Sequence, residues 1–173
     1  MGIIEREHIQ MRIFIDLGLK LLPNEMDTLS ARAMIYAVAF QESGFQKRRQ
    51  VVKFKDVGKI VYGQARSFWQ FETSGVRGVL EHHSSSYHAR LVLSLLYINK
   101  DNAFEAIAYS DALASAFARL LLWQYPDPLP DENNPDEGWK QYNSLWKPGK
   151  PRPEAWPDNF KRGWELAIIE NGG

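Results

Sequence analysis

The chain has 173 residues, 45% of them apolar, with 21 basic side chains balanced by 21 acidic ones. That length suits one domain with a real core, and a net charge of zero excludes a long-range pull toward nucleic acid or anionic lipid. With no cysteine there is no disulfide and no thiolate metal site. No apolar run approaches the roughly 20 residues of a membrane span. The opening MGIIEREHIQMR lacks the apolar core of a signal peptide, so cytoplasmic synthesis without one is expected.

In chain order, Ile9, Ile13, Leu17 and Leu21 predict an amphipathic helix over about residues 5–22, ended by Pro23 and Asn24. A second helix opens at Asp27, Thr28 or Ser30 and stops at Gly44. Within it Ile35, Val38, Ala39 and Glu42 fall at i, i+3, i+4 and i+7, which sets one carboxylate on the apolar stripe at the helix C-terminus. Both burial and the helix dipole disfavour ionisation there. A glutamate so placed can stay protonated and act as a general acid. A last-turn residue facing water is the competing reading.

The segment 46–62 reads as a small hairpin or extended flap, with VVKF and KIVY as β-prone pieces around Lys55, Asp56 and Gly58. Lys47, Arg48, Arg49, Lys53, Lys55 and Lys59 form the basic cluster. It is either a solvated flap or a site for a nucleic-acid backbone or an anionic cell-wall polymer, although no zinc finger or short RNA-binding signature accompanies it. The run Arg66–Phe71 starts a helix or lines a groove as a loop.

Helical patterning then dominates. Leu91, Leu95 and Ile98 mark one face, Phe104, Ile107 and Ala108 a short helix. Leu113, Phe117, Leu120 and Leu121, after an Asp111 cap, mark an alanine-rich central element. Eight of the nine prolines lie between Pro126 and Pro157, interleaved with Trp139, Trp146 and Trp156. Too aromatic for a linker, this stretch predicts an irregular arm pinned by its tryptophans. A final helix follows, capped by Asp158, with Phe160, Trp164 and Ile168 on one face. The expectation is a mainly α single domain over 1–173: core 5–125, arm 126–157 and terminal helix 158–170.

Glycosidic cleavage needs a proton for the leaving oxygen and something that stabilises positive charge at the sugar carbon, often a second carboxylate. Glu42 is the candidate acid, with Glu72 and Asp56 as possible second carboxylates; a solvated surface charge is the plain alternative for both. Phe68, Trp69 and Gln70 combine aromatic faces with an amide, as sugar-binding grooves do, although core packing must claim some of the rings. Tyr109 lies between two helical segments, where a phenol reaches a groove while its ring packs. His82 and His83 are adjacent, which does not put both rings on one helix face, and no metal is expected. No phosphate loop, GxGxxG or GxSxG occurs.

Glu42-Ser43-Gly44-Phe45, then Gln64–Gln70, then Ala106-Ile107-Ala108-Tyr109-Ser110 resemble, in order and spacing, the lysozyme-like lytic transglycosylase families. The likeness is greatest to the soluble and goose-type branches and to phage or prophage members, and it covers about residues 30–125. Gln64 and Ser67 stand where those families usually carry glycine, and Ser110 where they carry asparagine. The resemblance implies a lysozyme-like fold. It also implies cleavage of the β-1,4 bond between N-acetylmuramic acid and N-acetylglucosamine in peptidoglycan, without a cofactor. Glu42 would be the acid and then the base, with Ser43, Gln70 and Tyr109 at the substrate. Hydrolysis by a muramidase with Glu72 or Asp56 as base, or a virion or assembly protein without turnover, are the alternatives. Glycan strands are the expected partner, other virion components a further one, and nucleic acid none. The site of action would be the bacterial wall, as for an endolysin or virion-associated enzyme.

Overall fold

A computed structural model describes residues 3–53 and 60–172, with side chains placed from residue 9 except over 50–62. The described residues form one mainly α domain of eight α-helices and a two-stranded hairpin. Helix α1 spans Ile3–Leu19 and α2 Leu29–Ser43. Strands β1 (Arg49–Lys53) and β2 (Ile60–Arg66) pair antiparallel, with Val51 opposite Tyr62 and an irregularity between Arg49 and Val51. Then come α3 (Thr73–Glu81), α4 (Ser86–Leu95), α5 (Ala103–Ile107), α6 (Asp111–Leu122), α7 (Pro135–Trp146) and α8 (Trp156–Asn171). Among the described residues no helix is long and apolar enough to cross a membrane.

Two helices are wrapped by the others. In α2 every residue from Ala33 to Gln41 is buried, and in α6 every residue from Leu113 to Leu122. An α-helix is enclosed on all sides only if its neighbours come close, and small residues permit that. Helix α8 lies on α2 at Gly163, where a Cβ would stand 2.4 Å from the Ala33 carbonyl oxygen and 2.9 Å from the Ala37 nitrogen. Helix α1 lies on α6 at Gly18, where a Cβ would meet Ser115 at 2.6 Å. In α6 the buried Arg119 is satisfied in part by donating from Nε to the Met26 carbonyl at 2.7 Å.

This packing corrects several expectations. The stripe Ile9, Ile13 and Leu17 of α1 is the outer face, each residue close to half exposed; Met11, Ile15 and Leu19 are the inner one. Both stripes have four-residue spacing, and Gly18 decides between them because it sits beside the inner set. Likewise in α4 Leu91 and Leu95 face out, and Ala89, Val92 and Leu93 face the core. Thr28 caps α2 by accepting from the Ala31 N–H at 3.1 Å. Ser110, not Asp111, caps α6, because its hydroxyl accepts from Leu113 N–H while Asp111 pairs with Arg48. Helix α8 begins two residues before Asp158, with Pro157 in its first turn, and Ile168 is exposed.

The arm is not irregular throughout. Asn134 caps α7 by accepting from Glu137 N–H, and Pro135 takes the first helical position, where a missing N–H costs nothing. The tryptophans do pin it. Trp156 stacks on Tyr142 with centroids 5.0 Å apart, and its indole donates to Pro135 O at 2.8 Å. Trp146 donates to Trp69 O at 2.9 Å.

Gly163→Ala should destabilise the protein by about 3 kcal/mol, because the added methyl meets helix backbone rather than a flexible side chain. Urea denaturation measures this as a lower midpoint at an unchanged slope; an unchanged midpoint would refute the close approach of α8 and α2.

Candidate active site

The C-terminal turn of α2 is built by backbone geometry. Gly44 adopts φ +63°, which ends the helix, and the N–H groups of Gly44 and Phe45 return to the carbonyls of Phe40 and Ala39. The Ser43 hydroxyl donates to Phe68 O at 2.7 Å. That bond ties the helix end to the tight turn Ser67–Gln70, which Arg66 and Phe71 close with paired backbone hydrogen bonds of 2.9 and 2.8 Å. Ser67 and Gln70 hold φ of +65° and +48° in this turn. Ser67 is fully buried and compensates through its own hydroxyl, which accepts from Trp69 N–H at 3.2 Å.

The turn sends its aromatic residues inward. Phe68, Trp69 and Phe71 are all buried. Trp69 donates from its indole to Ile35 O at 2.9 Å, and Phe68 stacks on Phe45 at 4.5 Å. Phe68 and Trp69 therefore serve the core rather than a sugar, contrary to their expected place in a groove. Only Gln70 of this run turns outward, its amide donating to Ser67 O and Lys47 O. Ser43 likewise uses its hydroxyl on the protein backbone.

A cleft of about 790 Å³ opens where α2 ends. Glu42, Gln70, Phe71 and Glu72 line it, together with Trp146 and the loop Lys147–Lys150. Among the described residues two carboxylates thus share the cleft, in unequal surroundings. Glu72 is exposed, at the start of α3. Glu42 is half-buried, and Tyr142 of α7 donates to its Oε1 at 2.6 Å. Burial is the main influence on Glu42 and holds its pKa above the ordinary 4.5. The Tyr142 hydrogen bond and the charge of Arg152 oppose this, and the charge of Glu72 adds to it. Burial and the nearby Glu42 charge raise the pKa of Tyr142, so the phenol stays a donor. With Oε1 accepting from Tyr142, Oε2 is the oxygen free of that bond and the one on which a proton sits.

Arg152 is strapped to the same helix end. Its guanidinium donates to Gln41 O, while the Gln41 side-chain amide donates to Arg152 O at 2.9 Å and accepts from Asn159 at 2.7 Å.

Tyr109 lies elsewhere. It is 78% exposed, its hydroxyl accepts from Arg49 at 3.1 Å, and it is not among the residues that border the cleft. Asp56 falls outside the described residues, as do Lys55 and Lys59 of the basic cluster. In that cluster Arg48 is held by Asp111 through bonds of 2.6 and 3.0 Å and lies over Phe68. Among the described residues no group of three or more His, Cys, Asp or Glu is arranged to hold a metal. The rings of His82 and His83 lie 4.3 Å apart at a tilt of 34°, and His82 pairs with Ser84.

Comparison with models of protein families, with curated proteins and with solved structures finds no match. Nothing in the local sequence marks Tyr142, Arg152 or Trp146 as site residues. Tyr142 stands 100 positions from Glu42, and only the α7–α8 packing brings it there. The tryptophans of the arm were the one signal that this stretch folds onto the body.

Because Glu42 binds its proton more tightly folded than unfolded, it contributes stability that is complete below the unfolded pKa. That contribution is lost as pH rises through the folded value. Glu42→Gln cannot ionise, so its stability relative to wild type should climb as pH rises from 4.5 toward neutral. Urea midpoints for both proteins across that range test the point; a difference that does not vary with pH would show an unperturbed carboxyl.

Proposed function

We propose that this protein cleaves the β-1,4 bond between N-acetylmuramic acid and N-acetylglucosamine in peptidoglycan, by lytic transglycosylation. One observation carries the reading: a half-buried carboxyl of raised proton affinity, at a helix C-terminus, opens into a cleft of a size that takes a ligand. The order of Glu42-Ser43, the run ending in Gln70, and their meeting at one cleft add support. So does the left-handed backbone of Ser67, which stands where the resembling families carry glycine.

In this mechanism Glu42 gives its proton to the glycosidic oxygen as the bond from that oxygen to C1 breaks. The carboxylate then takes the proton of the muramoyl C6 hydroxyl while O6 closes on C1. A 1,6-anhydro end forms, and Glu42 is protonated again. Tyr142 orients the carboxyl and lowers the cost of its transient charge. Gln70 and the Trp146 ring border the path of the sugar chain. A second reading, hydrolysis, is favoured by Glu72, which lines the same cleft and whose charge reaches Glu42. There water replaces O6 and Glu72 is its base.

Digestion of purified peptidoglycan, followed by mass spectrometry, tests both. Glu42→Gln should lower the cleavage rate by roughly a thousandfold. Anhydro ends with little effect of Glu72→Gln support transglycosylation, and reducing ends lost in Glu72→Gln support hydrolysis. Equal, undetectable activity in wild type and Glu42→Gln would favour a virion or assembly role without turnover.

A further inference from the structure

The cleft that Glu42 lines also carries positive charge. Lys147 and Lys150 border it from the loop after α7, and both side chains are exposed. Among the described residues neither ammonium has an ion-pair partner. The backbone at Lys147 is notable too. It closes α7 with φ +48° and ψ +54°, a left-handed conformation that suits glycine and strains a lysine. A lysine held there at a steric cost, lining the same cleft as Glu42, suggests a role for its side chain.

We propose that Lys147 and Lys150 are specificity residues that bind a carboxylate carried by the sugar next to the scissile bond. The inference rests on Glu42 being the proton donor of a glycan-cleaving site. The Glu72 carboxylate, which lines the same cleft, disfavours an anionic substituent beside it, so the two lysines also bias which way round the glycan lies. On peptidoglycan strands the carboxylate has two sources: the free lactyl group of a peptide-stripped strand, or the carboxylates of the stem peptide. A neutral chitooligosaccharide has neither.

The test compares wild type with the double variant Lys147→Gly/Lys150→Gln on four substrates. These are peptide-bearing strands, amidase-stripped strands, stripped strands with carboxyls converted to methylamides, and chitohexaose. Two exposed pairs predict a KM raised roughly threefold to tenfold on the charged strands, with kcat nearly constant and a smaller change on the two neutral substrates. The effect should fade at high salt. A larger effect on stripped strands assigns the lactyl carboxylate, and a larger one on peptide-bearing strands assigns the stem. Lys147→Gly alone should melt no lower than wild type, because glycine suits that backbone, so its kinetic loss would not reflect unfolding. Equal changes on charged and neutral glycans would overturn the inference while leaving Glu42 in place. Binding of the same four glycans to Glu42→Gln, followed by NMR, separates the two readings. Carboxylate-dependent binding without any turnover in wild type would retain the lysines and remove the catalytic reading; no binding of any glycan would remove both.

Discussion

The arrangement depends on how closely α8 approaches α2. Gly163 against Ala33 and Ala37 leaves no room for a side chain between the two backbones. With α8 on one flank and α6 on another, α2 is enclosed along nine consecutive residues. The enclosed stretch of α2 carries no charged side chain, and the first one after it marks the end of the enclosure. In α2 that place is the last turn, and Glu42 occupies it. The same enclosure removes water from one side of the carboxyl, which raises its proton affinity. Packing far from the cleft thus sets the chemistry inside it.

Three pieces of chain distant in sequence are held around that turn by bonds to backbone. Ser43 holds the carbonyl of Phe68, the Trp146 indole holds that of Trp69, and Arg152 and Gln41 hold each other's carbonyls. Side chain to backbone bonds suit this task because a carbonyl position is fixed by the fold, whereas a side-chain partner can rotate away. The turn Ser67–Gln70 shows the compromise involved. Two non-glycine residues accept left-handed backbone so that three aromatic rings point inward and one amide points outward. Ser67 recovers part of that strain through its own hydroxyl.

The two carboxylates of the cleft show how environment divides roles between identical chemistry. Glu72 sits at the start of a helix in open solvent, whereas Glu42 sits at the end of one behind a tyrosine. The dipole and the degree of burial both act to keep the proton on Glu42. Lys147 and Lys150 line the same cleft, which thus carries side chains of both charges.

Local patterns of the chain by themselves determined its helical class, the C-terminal end of α2 and the candidacy of Glu42, and narrowed 46–62 to a hairpin or flap. Those features depend on period, caps and glycine within a few residues, all of which are visible in one dimension. Where two stripes of equal period competed, as on α1 and α4, the pattern favoured the outer one. Only the tertiary structure decided which faced the core, because the choice turned on Gly18 meeting Ser115 across a gap in sequence of nearly a hundred residues. It also decided that Phe68 and Trp69 serve the core, that Tyr109 lies against Arg49, and that Tyr142 is the phenol at Glu42. A hydrogen bond between residues so far apart leaves no trace in local spacing. It exists only once the arm has folded back and its tryptophans have packed.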